Sequence, residues 1–197
     1  MGYTQSCHDS SSPASLSVSS LLTFLPPPVR HIGLFVDVHN VFHAEREVRA
    51  RVDWSALLAD LQQVGELAQT IAYLAEHVGN IRRATFLERL GFRLVAKEIK
   101  RSGHRLRADL DVDLGVGVIR SAPKLNVSFV ACGDSDLTPA WNYAQELGTT
   151  IVVLGFEHST AQALRAKFLF IPLAPWLVPY RRSRSHPYPR FSRREAA

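Results

Sequence analysis

The chain turns abruptly apolar at residue 31. His31-Ile32-Gly33-Leu34-Phe35-Val36-Asp37 is a short hydrophobic run bounded by turn-forming residues, the pattern of a strand buried on both faces of a parallel sheet. Asp37 stands at its carboxyl end. Asp53 is placed to cap a helix over 54–64, where Trp54, Leu57, Leu58 and Leu61 recur at helical spacing. A strand is expected over 67–74, an amphipathic helix over 80–90 ended by Gly91, and a strand over 92–99. A basic, glycine-containing loop leads to a helix over 109–120. Then come a strand over 126–131, a helix over 138–146 closed by Gly148, a strand over 150–154, a short helix near 160–165 and an edge strand over 168–171. Alternation of this kind predicts an α/β three-layer sandwich with a mainly parallel sheet. Sheets of that class place ligands in the crevice at the carboxyl ends of their strands.

The flanks differ from this body. Residues 1–28 hold eight serines and three consecutive prolines, Pro26-Pro27-Pro28, and read as a flexible arm before a domain over 29–180. Residues 181–197 form an Arg-rich tail with six arginines against one acid, so the tail accounts for the net charge of +5. Residues 1–180 are balanced, with 17 basic and 17 acidic side chains. The tail's composition suits non-specific contact with nucleic acid or simple solvation. An apolar content of 46% with 21% charged residues fits one globular domain and argues against a fibrous or disordered chain.

Cys7 and Cys132 are too far apart in sequence to suggest a disulfide framework, which fits a reducing, cytoplasmic setting. The eight histidines form no H-E-x-x-H pattern, so no zinc site is expected. No run of about 18 apolar residues occurs, and no membrane span is expected. Met1-Gly2-Tyr3-Thr4-Gln5-Ser6 matches the loose myristoylation pattern. Dinucleotide and nucleotide-triphosphate loops are both missing, as is a serine nucleophile elbow.

The chemistry that stands out is acidic. One strand ends in Asp37, followed by Asn40, and another runs Phe129-Val130-Ala131-Cys132-Gly133-Asp134-Ser135-Asp136. In a parallel sheet both endings project at the same edge. A buried, unpaired carboxylate costs several kcal/mol, so Asp134 and Asp136 are poor candidates for core positions. Asp109-Leu110-Asp111-Val112-Asp113 opens a third segment; if a helix begins near Asp109, one of these acids caps it and another faces the pocket. Acids gathered at one edge repel one another unless a cation joins them, and oxygen-only donors suit Mg²⁺ or Mn²⁺. Taken singly, each Asp also suits a helix cap or a turn.

These segments resemble the NYN domains, a branch of the PIN-like nucleases, and within them the LabA-like group. Leu34-Phe35-Val36-Asp37-Val38-His39-Asn40 looks like the family's strand ending in D-x-x-N. Arg107-Ala108-Asp109-Leu110-Asp111-Val112 looks like its K-G-D-x-D-V element, and Cys132-Gly133-Asp134-Ser135-Asp136-Leu137-Thr138-Pro139 its S-G-D-x-D-F-x-P element. The resemblance covers roughly residues 31–173 and implies a PIN-like fold, a Mg²⁺ or Mn²⁺ site and hydrolysis of RNA. It implies metal-binding or catalytic roles for Asp37, Asp111, Asp134 and Asp136, with Asn40 positioning one of them. In that scheme Asp37 and Asp134 hold the ion, and Asp136 or Asp111 activates water. The chain departs from the pattern at Ala108, at Cys132 and above all at Gly117, where many relatives carry another acid.

Lys97, Lys100, Arg101, Arg105 and Arg107 lie within eleven residues that hold one acid, Glu98, and lead into Asp109–Asp111. They form a candidate RNA-binding rim for single-stranded or structured RNA, with a solvated loop as the plainer reading. Trp54, Trp141 and Tyr143 are read as packing residues, while His39 and His43 flank the first acid. A homo-oligomer is compatible with all of this. Two rivals to a ribonuclease stay open: a catalytically inactive RNA-binding module, and a protein-interaction or regulatory domain. Phosphatase chemistry is a minor third.

Overall fold

A computed structural model describes residues 31–76, 80–98, 100–102, 105–107 and 110–180. Both flanking segments named above, 1–28 and 181–197, lie outside the described residues, as does Asp109.

Among the described residues, ten strands and six α-helices follow in chain order. They are β1 (His31–Asp37), α1 (Val38–Glu47), β2 (Ala50–Val52), α2 (Trp54–Val64), β3 (Glu66–Glu76), α3 (Ile81–Arg89), β4 (Arg93–Glu98), β5 (Lys100–Ser102), β6 (Arg105–Arg107), α4 (Asp111–Ser121), β7 (Val127–Ala131), α5 (Thr138–Glu146), β8 (Thr150–Gly155), α6 (Gln162–Lys167), β9 (Leu169–Pro172) and β10 (Leu177–Pro179). Six strands make the central sheet in the order β4-β3-β1-β7-β8-β9, and every pairing in it is parallel.

Side chains alternate across this sheet and build two cores. Ile32, Leu34 and Val36 of β1 pack with Val41 of α1, Leu57 and Leu61 of α2 and Leu87 near the end of α3. Phe35 points the other way, towards Leu114 and Val118 of α4, Trp141 of α5 and Leu164 of α6. Strands buried on both faces read as continuous apolar runs, which explains the look of β1 and β7 in the sequence. Both layers of helices and the sheet between them form the expected three-layer sandwich.

From β1 the chain runs outward to β3 and β4 on one side, then returns past β1 to β7, β8 and β9 on the other. Helices therefore switch faces between β1 and β7. In open α/β sheets this switch point leaves a crevice beyond the strand ends, where ligands bind.

Three elements depart from the expected series. A helix, α1, follows β1 without a break. Its buried residues Val38, Val41 and Ala44 keep helical spacing, but the interval holds His39, Asn40 and His43, which are weak helix formers. Asp37 starts it by capping. A two-stranded antiparallel ribbon pairs β2 with β10. The basic loop between β4 and α4 contains an antiparallel hairpin of β5 and β6. The cap expected at Asp53 is present, its Oδ1 accepting from the N–H groups of Ser55 at 3.1 Å and Ala56 at 3.2 Å. Trp54 and Trp141 are core residues as expected, whereas Tyr143 is half exposed. No helix among the described residues is long and apolar enough to cross a membrane.

Candidate functional site

Asp37 does two things at the end of β1. Its Oδ1 accepts the N–H groups of His39 and Asn40, each at 2.9 Å, which starts α1. Its Oδ2 takes the Sγ–H of Cys132 at 3.7 Å. Burial raises the Asp37 pKa above the ordinary carboxylate value, although the two backbone N–H groups and the nearby His39 act against it. The acid is thus held where its charged form is disfavoured.

Asn40, one turn into α1, reaches across the switch point. Its Oδ1 accepts the Gly133 N–H at 3.0 Å, tying the exit of β1 to that of β7. The Gly133 carbonyl accepts the Ala161 N–H at 3.1 Å. A Cβ at position 133 would lie 2.8 Å from the Ser159 carbonyl oxygen and 3.1 Å from the Thr160 Cα. The loop after β8 packs against this glycine so closely that a side chain has no room.

Asp134 follows at once and caps a short 3-10 turn, Ser135–Leu137, its Oδ1 accepting the Asp136 N–H at 3.0 Å. Asp136 itself is exposed and does not line the cleft. The third acidic segment begins its helix later than expected. Leu110 occupies the N-cap position of α4 without a side-chain cap, and Asp111 and Asp113 sit in the first turn, where the positive end of the helix favours carboxylates. Two residues along a helix turn a side chain roughly 200°. Asp111 accordingly lines the cleft, while Asp113 bonds the Lys97 Nζ at 2.7 Å.

Together these elements enclose a cleft of about 350 Å³ lined by Asp37, Asp111 and Asp134 with Asn40 and Ser159. His39, His43 and Glu47, spaced four apart on one stripe of α1, make its other wall. Glu47 Oε2 also meets His158 Nε2 at 3.0 Å. Burial, then the nearby His39 and Arg46, lower the His43 pKa. The Cys132 thiol is pushed well above its usual pKa by burial first, and further by Asp37, Asp134 and Asp111. All three carboxylates therefore act on one buried sulfur. Sequence reasoning missed Glu47 in this wall; the four-residue spacing from His39 and His43 was its only signal, and it counts only once α1 is known to be a helix.

Of the basic residues singled out, Lys97 is engaged by Asp113. Lys100 and Arg101 lie on β5, Arg105 and Arg107 on β6, and their side chains fall outside the described part of the structure. Gly117 is on α4, away from the cleft lining. A Cβ there would overlap the Tyr73 hydroxyl. Tyr73 is buried on β3, paired in register with Asp37, and its hydroxyl pKa is pushed up to about 12 by burial. The position where the resemblance expects an acid is packed against a tyrosine.

A profile of the NYN domain matches residues 31–174, from the first strand to beyond the last strand of the central sheet. The chain belongs to the NYN domain family. NYN domains form part of the PIN-like nuclease superfamily, and the acids of this NYN domain lie within the matched span. A crystal structure of a protein of unknown function from Vibrio parahaemolyticus superposes with a TM-score of 0.70 at 22% sequence identity, covering 78% of this chain and 99% of that one. That likeness concerns the fold, which it shares across the whole of the Vibrio protein. No curated protein matches the chain.

Proposed function

We propose that this NYN domain is a Mg²⁺- or Mn²⁺-dependent ribonuclease that hydrolyses RNA phosphodiester bonds in the cleft between the ends of β1 and β7. One observation carries the reading: Asp37, Asp111 and Asp134, from three separate segments, meet in one cleft at the switch point of a parallel sheet. Among the described residues the lining holds no lysine or arginine to balance them, only two imidazoles. Such a concentration of carboxylates favours a bound cation. We also place the domain in the LabA-like group, on the three segments that carry the resemblance.

The donors suit a hard divalent ion, since the carboxylates supply oxygen and burial keeps the Cys132 thiol protonated. Among the described residues no three His, Cys, Asp or Glu side chains close on a single point. Asp37 and Asp134 would hold the ion, a pair of carboxylates being a usual protein contribution to a Mg²⁺ site. When bound, the ion supplies Lewis-acid stabilisation of phosphate charge and acidifies coordinated water.

The chain's own residues do the rest. Two backbone N–H groups fix Asp37, and the Asp136 N–H fixes Asp134, so neither carboxylate must reorganise when phosphate arrives. Asp111, across the cleft, orients the attacking water and accepts its proton. Asn40 holds the β7 exit in place through Gly133. Exposed Asp136 acts through the backbone bond it gives Asp134. Lys100, Arg101, Arg105 and Arg107 are assigned to the RNA backbone, while Lys97 holds Asp113 in place of a phosphate.

Cleavage of labelled single-stranded and structured RNAs with Mn²⁺, Mg²⁺ or EDTA, for wild type beside Asp134→Ala, tests this directly. The expected result is metal-dependent cleavage, with a loss of at least about 100-fold in the variant. Equal cleavage by a folded Asp134→Ala protein rules the scheme out. The Tyr73 ring packed against Gly117 favours a second reading, an RNA-binding or regulatory NYN domain without turnover. Tight RNA binding with no products in either metal selects it.

A further inference from the structure

The wall of the cleft formed by α1 has an outer side that the ribonuclease reading leaves unused. His39 lines the acid cleft and also a second, much smaller crevice of about 20 Å³ shared with Phe42, Asn80 and Arg83. The two concavities have one ridge in common. Flat groups succeed one another along it. The rings of His39 and His43 meet edge-on at 4.4 Å, those of His43 and Phe42 at 6.2 Å, and the Arg83 guanidinium lies 3.7 Å from the Phe42 centroid. Arg46 approaches the same ring at 5.8 Å.

This stretch is also cationic. Arg46 is exposed and Arg83 half exposed, and neither makes an ion pair among the described residues. Lys97, by contrast, is bound to Asp113. A guanidinium seated over an aromatic ring, as Arg83 is over Phe42, still has N–H donors for a phosphate and a plane of its own to offer a base. Stacking surfaces lined by cations are what single-stranded nucleic acid requires, because every base has a π-face and every linkage a charge. An acidic peptide would use the charges but leave the planar groups idle.

We propose that the ridge of His39, Phe42 and Arg83, supported by Arg46, is a stacking and phosphate-binding subsite for single-stranded RNA. It holds the nucleotide next to the phosphate seated in the acid cleft. The inference deepens the ribonuclease reading and rests on it for the identity of the strand, but its test does not depend on turnover.

Binding is measured in EDTA, with the full chain and a single-stranded oligoribonucleotide carrying 2-aminopurine, by anisotropy and by quenching of the reporter base. Phe42→Ala and Arg83→Ala are expected to weaken binding about tenfold and to abolish quenching. Arg83→Lys keeps the charge and the fold but not the plane: quenching falls while the salt dependence stays. Arg46→Ala reverses that pattern, retaining quenching and lowering the salt slope by about one. In Mn²⁺, Arg83→Lys is expected to raise KM with kcat within about twofold of wild type.

Unchanged binding and quenching in folded Phe42→Ala and Arg83→Lys proteins, with Mn²⁺-dependent cleavage intact in wild type, overturns the subsite and leaves the nuclease standing. The expected binding losses in a wild type that never cleaves uphold the subsite and defeat the nuclease. No RNA binding by wild type in EDTA overturns the subsite, and cleavage in Mn²⁺ then decides the nuclease on its own. An acidic peptide that binds more tightly than RNA and is lost in the same variants overturns the subsite in favour of a protein partner.

Discussion

Two glycines sit at the two ends of the acidic constellation, and they are glycine for opposite reasons. At Gly133 the absent side chain lets the Ser159–Thr160 backbone and the Asn40 amide close in on the β7 exit. That close approach places Asp134 in the same cleft as Asp37. At Gly117 the space is taken instead by the phenol of Tyr73, reaching from β3. One glycine makes the cleft possible, while the other marks where a side chain from a different strand has filled a gap. What a glycine means is decided by what occupies its missing Cβ.

The largest expected effect breaks the first half of this comparison. Gly133→Ala forces a methyl group against a carbonyl oxygen and a Cα, neither of which can swing aside as a side chain could. Overpacking against backbone is expected to cost about 3 kcal/mol. In the fraction that still folds, a displaced Asp134 is expected to lower cleavage by about 100-fold. Chemical denaturation and RNA cleavage read the two effects separately; a variant as stable and active as wild type removes the structural role assigned to Gly133.

Gly117 is the milder site. Gly117→Ala gains helix propensity of about 1 kcal/mol but drives a methyl group into Tyr73, for a net loss of about 1–2 kcal/mol. Tyr73→Phe should relieve part of it, because the ring Cζ would still stand 3.1 Å from the new Cβ. A double-mutant cycle measures the coupling, and independence of the two substitutions would disprove the overlap. Gly117→Asp alone is expected to lose more stability than Gly117→Ala and to leave cleavage no higher, since the new carboxylate meets the phenol near Asp113.

How far the sequence went can be judged from these same residues. The order of strands and helices, the parallel sheet and the placing of Asp37, Asp111 and Asp134 at one edge were legible, because burial on both faces and strand-end acids leave local patterns. The substitution at Gly117 was legible too, but its partner was not. Tyr73 lies on a distant strand, and register alone brings it opposite Asp37. Helix α1 escaped because its start depends on the Asp37 side chain, which reads equally as a strand end. With α1 unrecognised, the stripe of His39, His43 and Glu47 and the Phe42–Arg83 stack had no face to share.

A smaller effect tests the tie between the two strand ends. Asn40→Ala removes the acceptor for the Gly133 N–H and should cost about 1–2 kcal/mol, the penalty for leaving a part-buried donor unmade. Asn40→Asp keeps an acceptor oxygen and is expected to recover most of that stability. It adds charge to an already acidic cleft, so its cleavage should respond more steeply to Mn²⁺ concentration than that of wild type. Identical metal dependence in the two proteins would remove Asn40 from the cleft's electrostatics.

The smallest effect on stability has the opposite sign and concerns the acid at the heart of the site. Burial raises the Asp37 pKa, so between its unfolded value near 3.8 and the higher folded value the native state binds more protons than the unfolded one. By linkage, stability then falls as pH rises through that window, and above it the charged carboxylate remains a standing cost to the metal-free protein. Asp37→Asn removes the charge while an Asn oxygen can still cap α1. In EDTA at neutral pH the variant should unfold at a slightly higher temperature than wild type, with the gain fading as pH drops towards 3.8. Its Mn²⁺-dependent cleavage should be lost over the same pH range. A variant less stable than wild type at neutral pH would show that the two backbone bonds to Asp37 outweigh its burial. It would also show that the site is not built around an acid held at a cost to the fold.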